Sequence, residues 1–141
     1  ERAQRNAVEL ANRLQRHAAV RCVYFPGLGT VRNDALLKTQ MRGPGALMAL
    51  DLHGGHAAAA TVMRAVRLIT PAVSLGSVDT LIQHPAGLTH RVLDDAARAE
   101  CGIGAGLLRL SVGIESIEDL WADLSQALDA ARAESRLPEA A

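Results

Sequence analysis

One cation stands in the middle of the run Gly106-Leu-Leu-Arg-Leu-Ser-Val-Gly-Ile-Glu115. Read as a strand, the run alternates its side chains between two faces. Leu108, Leu110 and Val112 then share one face, and Leu107, Arg109, Ser111 and Gly113 the other. The first set is purely apolar and belongs on a core. The second sets a guanidinium beside small or polar neighbours. A guanidinium is rarely buried unless paired, so Arg109 points either to water or to an anion held in a pocket.

Other residues offer chemistry with less support. His53-Gly-Gly-His56 spaces two histidines three apart, but a Gly-Gly turn lies between them and no third ligand is near, so a metal is not expected. Gly102-Ile-Gly-Ala-Gly106 has the look of a phosphate loop. A phosphate loop must open a helix, whose free amides take the anion, whereas this one leads into a strand. Ser74, His84, Thr89 and His90 place hydroxyls and imidazoles in one stretch, without a nucleophile elbow or an acidic orienter. Lys38, the only lysine, falls on the outer side of a short helix and reads as a solvated surface residue.

Composition narrows the classes. With 141 residues the chain makes one domain, able to bury roughly two-thirds of its unfolded surface. Aromatics are only 2%, so the core must be aliphatic and no platform exists for stacked bases. Fifteen basic residues balance fifteen acidic ones, which argues against a nucleic-acid partner. No apolar run approaches the ~18 residues of a bilayer span, so no membrane partner is expected. Cys22 and Cys101 read as reduced thiols of a cytoplasmic protein. The chain opens on Glu1-Arg2-Ala3 with no initiator Met, which suggests a fragment or a processed chain.

The elements that must position Arg109 follow from periodicity and breakers. Helical spacing over residues 2–18 puts Ala3, Ala7, Leu10, Ala11, Leu14 and Ala18 inward, and Arg2, Arg5, Asn6, Glu9, Arg13 and Arg16 outward. Strands are expected at 20–25, 46–52, 72–75 and 79–83, besides the Arg109 strand. Asn33 or Asp34 caps a short helix running to about Met41. Further helices are expected at 56–68, from Asp94-Asp95 to Gly102, and from a Ser116/Asp119 capping box to about Ser135, closed by Leu137-Pro138. These four or five short strands sum to an α+β domain: a small, mainly antiparallel four-stranded sheet with helices packed on one face. The other face, carrying Arg109, is left free.

Three segments together resemble one family: VSLGSVDTLIQHPAGLTH (73–90), GLLRLSVGIE (106–115) and SIEDLWADLSQAL (116–128). They look like the C-terminal domain of the Cys/Met-metabolism enzymes that depend on pyridoxal phosphate, among them cystathionine γ-synthase, cystathionine γ-lyase and methionine γ-lyase. VYFPGL (23–28), QM–GPG–L (40–47) and L-x-GG (52–55) occur in the expected order, so the likeness spans nearly the whole chain. The resemblance implies that Arg109 grips the α-carboxylate of a sulfur amino acid, that Ser74 lies beside the same carboxylate, and that Thr89 is near the substrate pocket. A planar fork suits that task, because it binds a carboxylate through two parallel hydrogen bonds. It further implies a parent that abstracts the Cα proton, eliminates a thiol from Cγ, and assembles as a tetramer. Val73 occupies a position held by Glu in some γ-lyases and leans toward the methionine γ-lyase type.

The sequence departs from the family where the cofactor is held. No Ser/Thr-rich stretch leads into a Lys and Tyr, and the phosphate-holding residues are absent. The chain therefore reads as the small, substrate-binding domain alone, with the cofactor site and catalytic lysine in a large domain outside it. Within the family, a transferase of the cystathionine γ-synthase or O-acetylhomoserine sulfhydrylase type is the alternative to a lyase; a stand-alone amino-acid-sensing module, or a purely structural interaction domain, is the alternative of another class.

Overall fold

The computed structural model describes residues 1–32, 34–89 and 94–134. Five helices and five strands follow one another as α1 (Arg2–Leu14), β1 (Val20–Tyr24), α2 (Leu37–Gln40), β2 (Leu47–Leu52), α3 (Gly55–Ala65), β3 (Thr70–Pro71), β4 (Leu81–Gln83), α4 (Asp95–Glu100), β5 (Leu107–Ser111) and α5 (Ile117–Glu134). A 3-10 turn, Asp34–Leu36, precedes α2.

The strands form one sheet in the order β1-β2-β5-β4-β3. The Arg109 strand is its centre. β5 pairs antiparallel with β2 and with β4, and β1 pairs antiparallel with β2. β3 runs parallel to β4. The expected four-stranded antiparallel sheet is thus a five-stranded mixed one. The fifth strand is not at 72–75, which is loop, but at Thr70–Pro71. Thr70 and Ala72 donate their N–H groups to the Thr80 and Ile82 carbonyls. The nitrogen between them belongs to Pro71, has no hydrogen, and sits on the outer edge where a proline is tolerated.

Alternation decides the two faces. Met48, Leu50 and Leu52 of β2, Leu108 and Leu110 of β5, Val23 of β1 and Ile82 of β4 are buried in one cluster with Leu10, Leu14, Val62, Leu120, Leu124 and Leu128 of the helices. Burying each such side chain contributes about 1.5–3 kcal/mol. Helices α1, α3 and α5 all lie on this side, as the sequence indicates. On the other face Tyr24 and Leu47 remain exposed at the β1–β2 end.

Three departures concern helix ends and faces. Helix α1 ends at Leu14, leaving Ala18 outside it and exposed. Asn6, expected on the solvated side of α1, is buried and donates to the Gly113 and Glu115 carbonyls at 3.1 and 3.0 Å. Helix α3 stops at Ala65 rather than Leu68, because the Asp123 carboxylate of α5 takes the N–H groups of Arg67, Leu68 and Ile69 at 2.8–3.1 Å. Asp34 closes the preceding loop by accepting from the Gly27 and Gly29 amides. Asn33, His90 and the expected end of the last helix at Ser135 and Leu137-Pro138 lie outside the described residues.

Candidate functional site

Loop 72–79 crosses the Arg109 face and is fastened to β5 at points rather than by packing. Val73, Leu75 and Val78 in it are 61%, 56% and 69% exposed, so its side chains contribute little burial. Its backbone is held instead. Arg109 Nη2 donates to the Ser74 carbonyl at 2.7 Å, and Gly76 N–H donates to Ser111 Oγ at 2.9 Å. Arg109 and Ser111 point the same way because they are two apart on one strand. The far end is secured by Glu115, whose carboxylate accepts from Thr80 N at 2.5 Å and Thr80 Oγ1 at 2.9 Å, and by Ile114 N–H to the Val78 carbonyl. Gly113 permits this approach: a Cβ there would collide with the Val78 carbonyl oxygen.

A second loop, 84–89, closes the other side. His84 is buried, and its Nε2 donates to the Ala105 carbonyl at 2.9 Å. Its ring lies against His56, centroids 4.8 Å apart. Burial holds its imidazole below the usual histidine pKa, with the Ala105 carbonyl opposing and the His56 charge reinforcing that direction.

Between the loops lies a cavity of about 340 Å³ lined by Val73, Ser74, Leu75, Gln83, Pro85, Thr89, Ile103 and Arg109. Ser74, Thr89 and Arg109, far apart in sequence, are thus brought to one place. Arg109 is half-buried, and among the described residues no carboxylate pairs with it. Its Nη2 has one partner, the Ser74 carbonyl, so a second Nη2 hydrogen and those of Nη1 can still present a two-pronged edge. The lining is otherwise apolar apart from Gln83 and the two hydroxyl residues. An anion with one carboxyl group and an apolar remainder suits such a lining.

Gln83 was not singled out in the sequence. It is 2% exposed and lies directly opposite Arg109 across the β4–β5 ladder. A polar residue directly after Leu81-Ile82 in an expected strand was the available signal, but its register with β5 was not readable. His84, a candidate base by sequence, lines no part of the cavity. The glycine run before β5 also has a structural role: a Cβ on Gly106 would lie 2.7 Å from the Leu52 carbonyl oxygen.

The cofactor implied by the resemblance does not fit the residues present. Covalent attachment of pyridoxal phosphate needs a lysine amine, and Lys38 is exposed on α2, outside the cavity lining. Among the described residues, no three His, Cys, Asp or Glu side chains come together as a metal site. No helix among them is long and apolar enough to cross a membrane.

Comparison with known proteins decides the family, because the model of the Cys/Met metabolism PLP-dependent enzymes matches residues 1–129. The chain belongs to this family. Within the Cys/Met metabolism family, the L-methionine gamma-lyase of Brevibacterium sandarakinum is 50% identical over 131 residues, covering 93% of this chain and 32% of the relative. The L-methionine gamma-lyase of Porphyromonas gingivalis is 47% identical over 125 residues, covering 89% of this chain and 31% of that protein. The crystal structure of cystathionine gamma synthase from Xanthomonas oryzae pv. oryzae superimposes with a TM-score of 0.86 at 48% identity, covering 94% of this chain and 34% of that one. The chain spans about a third of the length of these relatives.

Proposed function

We propose that this chain is the C-terminal, substrate-binding domain of a pyridoxal-phosphate-dependent carbon–sulfur lyase acting on sulfur amino acids, of the methionine γ-lyase or cystathionine γ-lyase type. Within it, Arg109 and Ser74 receive the substrate α-carboxylate. The observation that carries the reading is the convergence of Arg109, Ser74 and Thr89 on one cavity, with the outer edge of the guanidinium unpaired. The names of the relatives support the sulfur amino acid, and their identity near 50% favours an enzyme over a stand-alone sensor.

The chain's own residues do one part of the chemistry. Arg109 binds the carboxylate through two parallel N–H···O bonds. The Ser74 carbonyl, by accepting from Nη2, holds the guanidinium at the cavity mouth. Fixing one end of a substrate lowers the entropic part of the barrier for reaction at the other. The cofactor and its lysine belong to the large domain of the same polypeptide, which covers the exposed sheet face around Tyr24 and Leu47. The parent assembles as a tetramer in the cytoplasm.

A synthase reading is the second choice, favoured by the Xanthomonas structure at 48% identity. Assaying the full-length parent separates the two. A lyase releases a thiol from L-methionine or L-cystathionine. Failure to release thiol from either, with condensation of cysteine onto an activated homoserine, contradicts the lyase assignment.

A further inference from the structure

We infer that Gln83 is the positioning residue that sets the plane of the Arg109 guanidinium, and that Thr89 acts through Gln83 rather than on the substrate. The inference rests on the carboxylate reading above and assigns two residues beyond it. Gln83 and Arg109 are ladder partners, so their side chains leave the sheet on the same side, with Cβ atoms roughly 5 Å apart. Both line the cavity.

Each carries an orphan. Gln83 Oε1 and Arg109 Nε are buried, and neither has a hydrogen-bond partner among the described residues. One is an acceptor and the other a donor. Two unmet, complementary groups on one rung of a ladder are costly apart and are relieved by meeting.

The orientation of the amide is not arbitrary. Gln83 Nε2 donates to Thr89 Oγ1 at 2.7 Å. That bond turns the amide so that its oxygen, not its NH2, is the end left over for Arg109. The opposite orientation would set NH2 against Nε–H, donor against donor. The guanidinium donors then divide cleanly. Once the two meet, Nε–H is taken by Gln83 Oε1, one Nη2 hydrogen stays on the Ser74 carbonyl, and one hydrogen each from Nη1 and Nη2 is left to form the fork. With two of its edges held, the plane of the fork is fixed before the carboxylate arrives.

The test uses the full-length parent loaded with its cofactor. Gln83→Met keeps the volume and removes both amide groups. The KM for a sulfur amino acid, and the calorimetric dissociation constant for glycine, should each rise about five- to tenfold, with kcat within about twofold. Thr89→Val should move both in the same direction, and Thr89→Ser, which keeps the hydroxyl, should restore them. In an Arg109→Lys background, which offers no Nε–H, Gln83→Met should add less than about twofold. Unchanged constants for Gln83→Met, or effects that simply multiply with those of Arg109→Lys, overturn the inference and leave the carboxylate reading standing. If Gln83→Met does not fold, Thr89→Val decides, and wild-type constants there overturn the inference. An Arg109→Lys protein with wild-type constants overturns the carboxylate reading, and this inference with it.

Discussion

Ser111 accepts the Gly76 N–H at 2.9 Å, two residues along the strand from Arg109, whose Nη2 reaches the Ser74 carbonyl. One strand face therefore has two roles: Arg109 lines the cavity and keeps an edge of its guanidinium unpaired, and Ser111 holds the loop that carries Ser74. Because the side chains of that loop are mostly exposed, these bonds matter more than packing does. Ser111→Ala should speed amide hydrogen exchange at residues 74–77, measured by mass spectrometry on the full-length parent. Its stability cost should be only about 0.5–1 kcal/mol, since the freed amide can reach water, while KM rises a few-fold. Unchanged exchange in the loop would mean that something other than Ser111 holds it.

Asp123 explains an element boundary that the sequence did not. Its buried carboxylate, 8% exposed, takes three consecutive backbone N–H groups between α3 and β3. Asp123→Ala should destabilise the protein by about 3 kcal/mol or more, because three donors lose a charged acceptor at once. Asp123→Asn, which keeps one acceptor oxygen, should cost less. Denaturant midpoints measure both, and a loss under about 1 kcal/mol for Asp123→Ala would contradict this role.

His84 supplies a pH dependence with a definite sign. Its folded-state pKa lies below the ordinary value of 6.5, chiefly through burial. The unfolded chain therefore binds more protons between that lowered pKa and 6.5, and stability rises with pH across that window. The contribution is complete above about pH 6.5 and is lost as pH falls through the folded-state value. Thermal midpoints of the wild type should drop on going from pH 7 to pH 5 by more than those of His84→Gln. Parallel pH profiles for the two proteins would remove His84 as the cause.

Legibility followed the range of the interaction. The β5 alternation was readable because Leu108, Leu110 and Val112 are apolar on every second position, and all three are buried. The stripe Leu120, Leu124, Leu128 and Ala131 of α5 was readable from helical spacing instead, and all four are buried. Asn6 was misplaced because its partners, the Gly113 and Glu115 carbonyls, lie more than a hundred residues away. The two-residue parallel strand at Thr70–Pro71 has no periodicity at all and exists only because β4 lies beside it. Gln83 was missed on similar grounds: its polarity is visible, but its rung opposite Arg109 is a property of the sheet.

The binding constant of Arg109→Lys in the full-length parent bears most directly on the carboxylate grip. Lysine keeps the charge and loses the planar fork, so the KM for a sulfur amino acid should rise about tenfold or more, with kcat changed much less. A KM equal to that of the wild type would show that the guanidinium edge does not hold the substrate.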